Sequence, residues 1–114
     1  MDLKISDLMK LQKELWEEHK DTWSPLTKEY ARNSMLWMVE EFGEAIAIVK
    51  KKGEDMIMDD PKTREHFVEE MNDVLMYFMD TLIRFDVSAE ELSESFLKKH
   101  NYNKNRDYNK EFKK

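Results

Sequence analysis

Hydrophobic positions in this chain recur at intervals of three and four residues, the period of an amphipathic helix. Four helices follow from that pattern. The first spans about Asp7 to His19, with Ser6 as its N-cap and Leu8, Leu11, Leu15 and Trp16 along one stripe. Lys20–Leu26 reads as a loop broken by Ser24-Pro25. The second helix spans about Thr27 to Lys51 and stops at Gly53, a residue suited to helix ends. Glu54–Asp60 reads as the long connection. Asp60-Pro61 then opens the third helix, about Lys62 to Phe85, where a first-turn proline sacrifices no hydrogen bond. After a turn at Asp86-Val87, Ser88-Ala89-Glu90-Glu91 has the form of a capping box and starts the fourth helix, which reaches about Tyr102.

At about 100° per residue, each central helix divides into faces. On the third, Phe67, Met71, Val74, Leu75, Phe78 and Leu82 form a broad apolar face. Glu70, Asp73 and Tyr77 form a narrow stripe beside it, extended by His66 and Arg84. Met76, Met79 and Ile83 lie on another side, so this helix is expected to be covered twice, the second time by another subunit. On the second helix, Met35, Met38, Phe42, Ile46 and Val49 make the expected core face. Asn33, Trp37, Glu41 and Glu44 share a neighbouring stripe, with Ser34 near it.

The chain has 114 residues, enough for one domain, 1–114, with 103–114 as a polar basic tail. Hydrophobic residues are 40% and charged residues 39%, with only two Gly and two Pro, a mix that favours long helices and an all-α, four-helix-bundle-like fold. The absence of cysteine excludes disulfides and thiolate metal sites. The polar start MDLKISDLMK carries no signal-peptide pattern, and no apolar run approaches the roughly 18–20 residues that span a bilayer, so a cytoplasmic protein away from membranes is expected. Net charge is −6, but Lys98–Lys114 holds seven Lys/Arg against two Asp/Glu, which leaves −11 on the remainder. An acidic body is a poor partner for nucleic acid. It can hold metal, while a basic tail holds phosphate.

The chemistry rests on two acidic pairs, Glu41-Phe42-Gly43-Glu44 and Glu70-Met71-Asn72-Asp73. Each i,i+3 spacing puts two carboxylates on one helix face, where like charges repel by roughly 0.2–0.5 kcal/mol when exposed and more when desolvated. Such pairs also occur on ordinary solvated faces. Two of them on adjacent apolar-rich helices point to a cation, and four carboxylates suit Mg²⁺ or Mn²⁺. Trp37, one turn before Glu41, is placed to stack on a planar ligand. His19, His66 and His100 form no zinc-like cluster.

Three strings carry a resemblance. They are Arg32-Asn33-Ser34-Met35-Leu36-Trp37-Met38-Val39-Glu40-Glu41-Phe42-Gly43-Glu44; Glu69-Glu70-Met71-Asn72-Asp73-Val74-Leu75-Met76-Tyr77; and Lys99, Asn103 and Arg106-Asp107-Tyr108. From Leu8 to Tyr108 the pattern resembles the MazG-like all-α nucleoside triphosphate pyrophosphohydrolases, in particular the single-domain and dCTP pyrophosphatase branch. The resemblance implies a MazG fold and a homodimer or homotetramer. It implies Mg²⁺, with Mn²⁺ as a substitute, on Glu41, Glu44, Glu70 and Asp73, and Glu41 as the base that orients water. It implies phosphate binding by Lys99, Asn103 and Arg106, and base binding by Asn33, Trp37 and Tyr77, with Trp16, His19 and Trp23 closing the pocket. The implied reaction cleaves a (deoxy)nucleoside triphosphate to the monophosphate and pyrophosphate, a house-cleaning activity on non-standard or surplus nucleotides. Alternatives are phosphoribosyl-ATP hydrolysis, and a non-catalytic helical module that docks a partner protein.

Overall fold

The computed structural model describes residues 1–106, so the expectation for 107–114, including Asp107-Tyr108, lies outside the described residues. It is all-helical: α1 (Ile5–Glu18), α2 (Ala31–Lys52), α3 (Glu54–Asp59), α4 (Pro61–Arg84) and α5 (Ala89–Asn105), with a 3-10 turn at Lys28–Tyr30. No strand occurs among the described residues, and none of their helices is long and apolar enough to cross a membrane.

The boundaries differ from expectation in ways that local chemistry explains. α1 begins two residues early, because Asp7 accepts a hydrogen bond from the backbone N–H of Lys4 at 2.9 Å, which makes Lys4 the N-cap in place of Ser6. α2 begins only at Ala31, after the 3-10 turn has absorbed Lys28–Tyr30. The expected connection Glu54–Asp60 contains a short fifth helix, α3, entered through Gly53 at φ 86°, a left-handed conformation that glycine adopts freely. Asp60 caps α4 by accepting from Thr63 N (3.1 Å) and Thr63 Oγ1 (2.6 Å), with Pro61 in the first turn. Ser88 accepts from Glu91 N at 3.1 Å, one half of the expected capping box.

α2 and α4 form the central pair, and their contacts run in opposite directions along the two helices. Ser34 meets Asp80, Trp37 meets Tyr77, and the carboxylate of Glu44 meets that of Glu70. Positions advance on α2 as they retreat on α4, so the helices are antiparallel and one seam brings their polar stripes together. The buried residues of α2 are Ala31, Ser34, Ala45 and Ile48, mostly small, which lets the two backbones approach. α1 lies across the C-terminal half of α4 and builds the hydrophobic core there from Met9, Met79 and Ile83, with Ile5, Leu8, Leu26, Leu82, Ala89 and Leu92 around them.

This placement corrects the expected faces. Met79 and Ile83, assigned to a second subunit, are covered by α1 of the same chain, while Met76 stays open. The expected core face of α2 is largely open instead: Met35 and Phe42 are each 48% exposed and Ile46 is exposed beside them, while Met38 and Val49 are half-buried. Met71, Leu75 and Phe78 on α4 are likewise open. No residue of α5 is buried, and only its first turns, through Ala89 and Leu92, reach the core. A Cα radius of gyration of 17.2 Å exceeds the value of about 13 Å for a compact chain of this length, in keeping with an open fold.

Candidate metal centre and aromatic cavity

The seam between α2 and α4 carries the chemistry. Glu41, Glu44 and Glu70 each bring one carboxylate oxygen into a group whose members all lie within 4.8 Å of one another. Glu44 stands between the other two, within hydrogen-bonding reach of both. Asp73, the fourth expected ligand, lies one helical turn from Glu70, outside this trio, but close enough for its charge to act on Glu41 and Glu70.

Crowding carboxylates makes them hold protons. Loss of hydration, then the Glu44 carboxyl and the charges of Asp73 and Glu70, push Glu41 up to about 7 from its ordinary 4.5. Glu70 is raised by burial first, then by Glu44 and Asp73, with His66 opposing the shift from 3.4 Å. Oxygen Oε2 of Glu70 is buried and accepts no hydrogen bond among the described residues. An unpartnered buried carboxylate oxygen costs free energy that a cation would recover. The donor set is all oxygen, as hard divalent ions require. These residues therefore fit Mg²⁺ or Mn²⁺.

Next to the carboxylates lies a cavity of about 540 Å³, into which Asp73 projects. The three expected base-binding residues, Asn33, Trp37 and Tyr77, all line it. The Trp37 and Tyr77 rings are 5.9 Å apart, tilted by 55°. Burial, then the charges of Glu41 and Asp73, raise the Tyr77 hydroxyl, so it stays protonated and able to donate. Of the N-terminal aromatics, Trp23 lines the cavity. His19 and Trp16 support it from behind: His19 stacks on Trp23 at 4.5 Å, and Trp16 Nε1 donates to the Ser24 carbonyl at 2.8 Å.

Sequence reasoning missed the floor of this cavity. Asp80 is buried, accepts from Ser34 Oγ and from Arg84 Nε, and lines the cavity with Arg84. Its signal was present: Asp80 continues the Glu70, Asp73, Tyr77 stripe by one more turn. Tyr30 and Gln12 also line it and carried no signal, since each depends on where a separate element packs.

The expected phosphate residues are gathered elsewhere. Lys99 Nζ lies over the Tyr102 ring at 5.1 Å, the Arg106 guanidinium lies over the same ring at 5.4 Å, and Arg106 Nη1 donates to Asn103 Oδ1 at 3.2 Å. All three sit on the outer half or end of α5, a helix that packs on α1 and has no packing against α2. The single chain therefore does not bring them to the carboxylates.

A comparison of the chain with protein-family models, with curated proteins and with solved structures finds no match in any of the three.

Proposed function

We propose that this chain is a Mg²⁺-dependent nucleoside triphosphate pyrophosphohydrolase, acting in the cytoplasm on surplus or non-standard nucleotides. The observation that carries this reading is the adjacency of three convergent carboxylates, one with an unpartnered buried oxygen, to an aromatic-walled cavity of about 540 Å³. A planar base in that cavity leaves its phosphates beside the carboxylates. The resemblance of the two acidic motifs and their flanks to MazG-like enzymes supports the same assignment.

In this reading the ring faces of Trp37 and Tyr77 hold the base, and Asn33 offers it both a donor and an acceptor. Glu41, Glu44, Glu70 and Asp73 hold the divalent ion. When bound, that ion supplies neutralisation of phosphate charge and a lowered pKa for water. Glu41 orients the attacking water and accepts its proton as an ionised carboxylate beside the cation. The water oxygen bonds to the α-phosphorus, the α–β bridging bond breaks, and the electron pair leaves with pyrophosphate.

Several apolar side chains stand open on α2 and α4, and Phe96 on α5 is 72% exposed. Exposure on this scale favours association. We assign it to a homodimer or homotetramer of the enzyme. A docking module without catalysis shares this one observation but leaves the carboxylate cluster without a role. Pyrophosphate release from a nucleotide panel that includes phosphoribosyl-ATP, with Mg²⁺ or EDTA and with Glu41→Gln, tests the reading. Metal-dependent release that the substitution abolishes is the expected result, and release from no nucleotide overturns it.

A further inference from the structure

The antiparallel register that joins Trp37 to Tyr77 and Glu44 to Glu70 continues past the carboxylates. One turn on, the same steps bring Ile48 level with His66, and a second turn on they bring Lys51 level with Thr63 and Lys52 with Lys62. These six residues line a second cavity, of about 560 Å³, whose near wall is Glu44 and Glu70 themselves. The seam therefore reads in three stretches: aromatic, then carboxylate, then basic.

The basic stretch is built from both helices. Lysines in the last turn of α2 have an ordinary explanation, since cations suit a helix C-terminus. That explanation fails for Lys62. It stands in the first turn of α4, where the helix dipole opposes a cation, and it faces the same cleft as Lys51 and Lys52. Asp60, the one acid at this end among the described residues, caps α4 through Thr63 and is held below its usual range, first by those Thr63 hydrogen bonds and in part by Lys52. The far end of the cavity is thus lined by three lysines and one carboxylate already engaged, beside Ala47 and Ile48. From Glu44 to Lys51 is two turns, about 10 Å along the axis, a gap that a lysine side chain can partly close.

We propose that this cavity is a binding site for the two distal phosphates, and for the pyrophosphate they become, with Lys51 and Lys62 as its principal cations. The inference rests on the nucleotide reading above and gives it a direction. The base occupies the aromatic cavity, the α-phosphate sits at the carboxylates, and the leaving group lies over the lysines. His66, which meets Glu70 at 3.4 Å, marks the border between the last two stretches.

The test is calorimetric titration of the full chain with inorganic pyrophosphate, once with Mn²⁺ and once with EDTA, alongside titration with Mn²⁺ alone. Lys51→Ala combined with Lys62→Ala is compared with Lys99→Ala; all three side chains are exposed, so the fold tolerates their loss. The expected result is at least a tenfold loss of pyrophosphate affinity in the double variant, with Mn²⁺ affinity within twofold of the original chain and Lys99→Ala unchanged. Pyrophosphate affinity within twofold in the double variant, an equal loss in Lys99→Ala, or no pyrophosphate binding to the original chain under either condition overturns the proposal. Pyrophosphate binding that depends on the two lysines while Mn²⁺ fails to bind overturns the metal reading and leaves the anion site standing.

Discussion

Arg84, near the end of α4, donates from Nη1 to the backbone carbonyl of Pro25 at 2.5 Å. Its Nε donates to Asp80 at 2.8 Å, and Asp80 also accepts from Ser34 of α2. One buried guanidinium thereby ties the loop before α2 to α4 and holds Trp23 and Ser24 over the aromatic cavity. The cavity walls come from separate elements, and this network fixes their relation.

Breaking that tie strands a buried charge. Arg84→Met leaves Asp80 without its cation, for which a loss of about 3–5 kcal/mol is expected, measured as a lowered urea midpoint. Ser34→Ala removes one neutral donor to the same carboxylate and is expected to cost about 1–3 kcal/mol. Equal small effects from both would contradict the network described.

The carboxylate cluster has opposite consequences with and without metal. Glu70→Gln removes one repelling charge, so the metal-free chain is expected to melt at the same or a higher temperature. Its thermal stabilisation by Mn²⁺ should vanish, and with it activity, by about 100-fold or more. Thermal scans in EDTA and in Mn²⁺ read both effects from one preparation. A variant that is less stable in EDTA and still stabilised by Mn²⁺ would remove Glu70 from the site.

Glu41 carries a pH dependence whose sign is fixed. Its folded-state value of about 7 lies above the ordinary 4.5, so the folded chain binds this proton more tightly than the unfolded chain does. The associated stability is fully present below about pH 4.5 and is lost as pH rises through about 7. In EDTA the cluster is therefore expected to favour folding more at pH 5.5 than at pH 8. Mn²⁺ affinity runs the other way, rising between pH 6 and 8, with release of protons on binding. Calorimetry in buffers of different ionisation enthalpy counts those protons, and zero release at pH 6.5 would contradict the raised carboxyl.

The open faces of α2 and α4 set an expectation for assembly. Sedimentation velocity at micromolar concentration should give a dimer or tetramer. Phe42→Glu, which puts a charge on the exposed face of α2, should shift it towards monomer without unfolding it. A monodisperse monomer of the original chain would assign those side chains another partner.

Local chemistry was legible in the sequence. The i,i+3 acidic pairs, the one-turn spacing of Trp37 and Glu41, Asp60-Pro61 as a helix start and Ser88 as a cap all depend on residues within a few positions of one another. Helical periodicity reports such relations directly. It also brought Asn33, Trp37 and Tyr77 onto the faces that later shared a cavity.

Tertiary structure decided which faces were covered. Periodicity says that Met76, Met79 and Ile83 share a side, but not that α1 returns to cover Met79 and Ile83 while Met35 and Phe42 stay open. It does not bring Arg84 to Pro25, nor does it give the register that sets Lys51 and Lys62 at one cleft and leaves Lys99 on another helix. Those relations join residues tens of positions apart. Their energy comes from burying one particular surface against another, and a face's composition does not name the surface it will meet.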